Sequence, residues 1–122
     1  MVSFKSFSYA LKGLKYVLNS ERNARLHLLL AVLALVASIA LRIRLEEWLF
    51  VVISISLVFF AEIVNTAIEK TLDLISQENN QMVKLIKDMM AAGVLVTAIG
   101  AVVVAVIIFV PRLILLIEGV VK

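Results

Sequence analysis

The chain is 122 residues long, 63% hydrophobic and 17% charged, with a formal net charge of +3. It is long enough for one domain, and it is far more apolar than a soluble domain, which is about half apolar and about a quarter charged. With no cysteine and a single histidine, His27, it cannot form disulfides, thiolate centres or a multi-histidine metal site within one chain.

Residues 4–19 are expected to form an amphipathic surface helix. Phe4, Phe7, Leu11, Leu14 and Leu18 recur at three- and four-residue steps, with Lys5, Lys12 and Lys15 on other faces. Such a helix lies flat on a membrane with its lysines toward anionic headgroups. The first residues lack a leader pattern of short apolar stretch and small-residue cleavage site. Ser20–Arg25 reads as a polar turn into the first span, and His27 as interfacial packing or a headgroup contact.

Three uncharged runs follow: Leu28–Leu41 with 14 residues, Trp48–Ala61 with 14, and Met89–Val110 with 22. Roughly 20 helical residues cross a bilayer core of about 30 Å. The third run suffices alone, whereas the other two must draw in polar residues at one end. The expected spans are 23–41, 48–68 and 89–110, in one all-α membrane domain over 1–122. Arg42–Glu47 is the link between the first two spans, and Trp48 suits the headgroup level. The second helix is expected to continue to about Ile75, with Gln77–Gln81 as a polar linker and a short helix from Met82 leading into the third span. Pro111 and Arg112 are expected to close that span. A soluble three-helix bundle does not fit, because Met89–Val110 offers no polar face.

Eight Lys and Arg residues fall in the N-terminal segment and the 70–88 loop, against four on the other side. The positive-inside rule therefore puts the N-terminus and that loop in the cytoplasm. No basic cluster is interleaved with aromatics, so nucleic acid is not an expected partner.

On the second span Glu62, Asn65, Glu69 and Asp73 share an arc of about 80°, with Glu62 about 10 Å below Glu69 along the axis. A carboxylate at that depth is expensive, so it should face protein or a wet cavity. It suits a general base. Glu21, Arg25, Lys84, Lys87 and Asp88 gather at the same membrane face. Carboxylates from two helices plus a lysine can hold Mg²⁺ and a polyphosphate. There is no phosphate-binding glycine loop and no protein-kinase signature. Two rivals remain. Intramembrane carboxylates also mark proton relays and transport subunits, and Glu62 can act simply as helix glue in an assembly protein. Neither accounts for Lys87-Asp88 and the charged N-terminal turn.

The stretch Ala61-Glu62-Ile63-Val64-Asn65-Thr66-Ala67-Ile68-Glu69, then Asp73 and Lys87-Asp88, resembles the signature of the prokaryotic diacylglycerol kinase family. Glu21–His27 resembles that family's segment before its first span, as do Phe4–Phe7 and Gly13. The resemblance runs from about Phe4 to Leu113. Within the family the sequence is most similar to the undecaprenol kinases of Gram-positive bacteria, through Glu21-Arg22-Asn23, Glu47-Trp48, Asn65-Thr66 and residues 107–112.

The resemblance implies an ATP- and Mg²⁺-dependent lipid kinase of the bacterial cytoplasmic membrane. It also implies a homotrimer with sites shared between subunits. Glu62 matches the base acting on the lipid hydroxyl, and Glu21 and Glu69 match metal ligands. Asn65 orients the site around the γ-phosphate, Lys87 and Asp88 match nucleotide contacts, and Glu78 and Asn80 fall in the nucleotide loop. Asn80 and Ile86 depart from the family's usual His and Ala. Ala91 stands where diacylglycerol-specific members carry Ser, which leans toward undecaprenol, with diacylglycerol as the alternative.

Overall fold

The structure, a computed structural model, describes residues 3–76 and 80–121. It is all-helical: α1 (Phe4–Ser20), α2 (Arg22–Ala40), α3 (Leu45–Ile75) and α4 (Gln81–Val121). The last three are long and apolar enough to cross a membrane. At about 1.5 Å per residue α2 is about 29 Å long and just spans a hydrocarbon core, whereas α3, at about 47 Å, must project beyond it.

The links are tighter than the sequence suggests. The expected turn over Ser20–Arg25 reduces to one extended residue, Glu21 (φ −112°, ψ 117°), and Asn23–Arg25 are already helical. Arg25 stabilises this corner, because its Nη1 donates to the carbonyls of Leu18 (3.0 Å) and Asn19 (2.9 Å) at the end of α1. A cation there also meets the negative end of the helix dipole.

The second link is Leu41–Arg44 rather than Arg42–Glu47. Glu46 and Glu47 lie in the first turn of α3, where carboxylates favour the helix start. The Arg44 backbone N–H donates to Glu47 Oε1 at 2.9 Å. Arg42 makes the reversal with φ 52°.

α4 also departs from expectation, passing through Pro111 and continuing to Val121. Proline removes one helical N–H donor. In lipid, breaking the helix would strand many more backbone groups than the one Ile107 carbonyl that loses its donor to Pro111, and Arg112 Nη1 donates to the next carbonyl, that of Ile108, at 3.1 Å.

α3 packs most extensively on α4, and α2 packs on α3. The tightest core lies at the end remote from Glu62, where Ile43, Val51 and Ile108 are buried and Trp48 and Phe109 pack around them. Trp48 is therefore part of this core. Arg112 clamps Glu47 beside it through two hydrogen bonds, one of 2.7 Å from Nη1 to Oε2.

On α2 the buried positions are Ala24, Ala31 and Ser38. Small residues at seven-residue steps let helix backbones approach closely in lipid, where packing replaces the hydrophobic effect as the driving force. That approach sets the site geometry.

Candidate active site

α3 carries its polar stripe from the interior outward. The Glu62 side chain is 2% exposed, Asn65 and Glu69 are half-buried, and Asp73 is exposed. The 3.6-residue period aligns them, and the packing of α2 and α4 grades their burial.

His27 on α2 brings Nε2 to 3.2 Å from Glu62 Oε1, with its own side chain 18% exposed. This is ion-pair distance, but the ring N–H is not aimed along a hydrogen bond, so Oε1 has no aligned donor. The sequence reading of His27 as packing or a headgroup contact is therefore replaced. His27 also lines one end of an apolar cavity of about 250 Å³ between α2, α3 and α4. The cavity continues past Ala31, Ala34, Val58 and Phe59 toward Phe109.

Among the described residues three buried side-chain oxygens have no hydrogen-bond partner: Glu62 Oε1, Asn65 Oδ1 and Thr66 Oγ1. All lie within five residues of α3. Four other helical hydroxyls donate to a carbonyl of the preceding turn: Ser38 to Ala34, Ser56 to Val52, Thr71 to Ala67 and Thr97 to Val94. An unpaired buried polar atom costs about 1–3 kcal/mol, so each of the three calls for a partner from outside the described side chains, a water, an ion or a bound group. Thr66, fully buried one turn from Glu62, was not singled out by the sequence. Only its helical phase with Glu62 could have found it.

Above this cluster the elements converge. Glu21 sits at the α1–α2 junction, and Glu69 lies two turns along α3 from Glu62. Lys70 lies over the Tyr16 ring, 5.8 Å from its centroid, and ties α1 to α3. Asp73 Oδ1 accepts from Lys87 Nζ at 3.0 Å, which fixes α4 against the outer end of the stripe.

Of the residues singled out in the sequence, Glu62, Asn65, Glu69, Glu21 and Lys87 thus fall in one region. Asp88 is exposed and receives Lys84 Nζ at 2.8 Å. Asn80 caps α4, its Oδ1 accepting from the backbone N–H of Met82 (2.8 Å) and Val83 (3.3 Å). Ala91 is exposed on α4, one turn beyond Lys87. Glu78 lies outside the described residues.

Among the described residues no group of three or more acidic, His or Cys side chains is ready-made for a metal. That suits Mg²⁺, which is usually held by one or two carboxylates together with substrate phosphates rather than by a protein cage. Glu21, Glu69 and the unpaired Asn65 oxygen are the side chains that would supply such donors.

Residues 8–109 match the family model described as prokaryotic diacylglycerol kinase. The chain is 34% identical over 110 residues to a protein named undecaprenol kinase from Bacillus subtilis (strain 168), covering 90% of this chain and 89% of that one. It is 33% identical over 109 residues to a protein named diacylglycerol kinase from Synechocystis sp. (strain ATCC 27184 / PCC 6803 / Kazusa), covering 88% of this chain but 62% of the longer relative. With a buried carboxylate, unpaired acceptors and a basic–acidic rim all inside the matched segment, the chain belongs to the prokaryotic diacylglycerol kinase family of lipid kinases.

Proposed function

We propose that the protein transfers the γ-phosphoryl group of ATP to the hydroxyl of a membrane lipid alcohol, undecaprenol, at the cytoplasmic face of a bacterial membrane. The observation that carries this reading is the trio of unpaired buried oxygens on Glu62, Asn65 and Thr66, joined through the His27–Glu62 contact to the end of an apolar cavity. A lipid alcohol brings both parts of the complement. Its chain is apolar, and its hydroxyl donates to Glu62 Oε1.

In this scheme Glu62 takes the hydroxyl proton as the oxygen attacks. Asn65 orients the γ-phosphate, and Glu21 and Glu69 hold Mg²⁺, which when bound neutralises phosphate charge. Lys87, fixed by Asp73, steadies the phosphates. Asp88, Asn80 and Glu78 complete the nucleotide side, and Ala91 faces the lipid. Phosphoryl transfer depends mainly on such positioning and charge neutralisation.

α1 is read as an amphipathic helix on the cytoplasmic surface, and 1–122 as a single membrane domain with spans near 23–41, 48–68 and 89–110. The eight-to-four charge asymmetry supports this sidedness. The homotrimer follows from the resemblance, and the exposed apolar faces of α2 and α4 leave surface for neighbouring copies as well as lipid.

Diacylglycerol is the alternative acceptor, favoured by the name of the Synechocystis relative. The test is purified protein in mixed micelles with MgATP and either undecaprenol or diacylglycerol. Faster phosphorylation of undecaprenol is expected. Faster phosphorylation of diacylglycerol would overturn the lipid assignment, and no phosphorylated lipid from either would overturn the kinase reading.

A further inference from the structure

The single histidine of this chain has a position that the scheme above leaves unused. His27 is the residue common to the cavity lining and to the contact with Glu62. Among the described residues it is the side chain that meets the Glu62 carboxylate; the neighbouring unpaired atoms, Asn65 Oδ1 and Thr66 Oγ1, sit on the same helix as Glu62. Its reach is set by the backbone. Ala24, one turn before it, is 0% exposed, and Ala31, one turn after it, is 8% exposed. Small residues on either side of His27 permit a close helix approach, and the imidazole reaches the Glu62 carboxylate across the α2–α3 contact.

We propose that His27 is a positioning residue for Glu62, its Nε2–H holding the carboxylate turned toward the end of the apolar cavity where an acceptor hydroxyl would arrive. This inference rests on the kinase reading and assigns a role to a residue outside that scheme. A buried carboxylate without a partner on the neighbouring helix would turn along α3 to the Thr66 hydroxyl, one turn away and itself unpaired. It would then point up the helix instead of toward the lipid. The 3.2 Å contact, too poorly aimed for a full hydrogen bond, is the loose form expected before substrate tightens a site.

The test compares His27→Gln with His27→Asn. Both place an amide in the same polar setting, but the glutamine N–H reaches about as far as Nε2 and the asparagine N–H stops one methylene short. Steady-state phosphorylation is measured in mixed micelles against both lipid and MgATP. His27→Gln should keep kcat within about fivefold of the parent, while His27→Asn should lose about 10²-fold, the scale of a misplaced reacting group. The KM for MgATP should stay within about twofold in both, because the nucleotide side lies two turns along α3.

Infrared difference spectra, parent minus Glu62→Gln, give a second readout that needs no turnover. The Glu62 carboxyl band should shift in His27→Asn and hold in His27→Gln. Equal kcat in the two variants, or an unmoved band in His27→Asn, would overturn the role. An inactive parent with the expected band shift would instead overturn the kinase reading and keep the contact.

Discussion

Replacing Glu62 with glutamine separates its chemistry from its packing. The side chain is 2% exposed and enclosed by α2 and α3, and glutamine has nearly the same shape, so the helices need not move. What disappears is basicity. A positioned general base contributes about 10²–10⁴-fold, or about 3–5 kcal/mol of barrier at about 1.36 kcal/mol per decade. Glu62→Gln should therefore lower kcat by about 10²–10⁴-fold. Glu62 lies about 10 Å below Glu69 along α3, so the KM for MgATP should change by no more than about twofold. Thermal unfolding in detergent should show no loss of stability, since the variant keeps the side chain's shape and removes a buried ionisable group. The assay follows radiolabelled phosphate from ATP into extractable lipid across a range of lipid and nucleotide concentrations. Activity within about tenfold of the parent, or a large rise in the MgATP KM with kcat preserved, would refute the assignment of Glu62 as the base on the lipid side.

Asp73→Asn should release Lys87, whose 3.0 Å contact with Asp73 is partly exposed (38% and 56% for the two side chains). The KM for MgATP should rise by up to about fivefold, the worth of an exposed ion pair, with the lipid KM unchanged in the same assay. Ile108→Ala empties a position only 4% exposed in the remote core. Because lipid is itself apolar, the cavity part of the usual penalty remains, about 1–2 kcal/mol, and thermal unfolding should report it with kcat intact. Arg42 holds φ 52°, a conformation that costs a non-glycine residue about 1–2 kcal/mol. Arg42→Gly should raise thermal stability by up to about 1 kcal/mol, whereas Arg42→Pro, locked at negative φ, should lower it sharply.

The three apolar helices and the face shared by Glu62, Asn65, Glu69 and Asp73 were legible in the sequence because both follow from local rules. A bilayer core demands about 20 apolar residues per span, and the helical period aligns residues three and four apart whatever surrounds them. The one-residue break at Glu21, the reversal at Arg42 and the passage through Pro111 were not legible. Each is settled by competition between a local preference and backbone satisfaction over the whole helix, as when α4 continues through Pro111 at the cost of one helical donor.

The candidate site divides the same way. The sequence by itself determined that a carboxylate would lie deep in a span, with charged residues stacked outward from it. Tertiary structure alone decided which groups face it. His27 is 35 positions from Glu62 in the chain, and its ring meets the carboxylate at 3.2 Å only because α2 packs on α3. The unpaired oxygens of Glu62, Asn65 and Thr66 are likewise a property of what packs around α3, since an acceptor has a partner or lacks one only when every neighbouring element is in place.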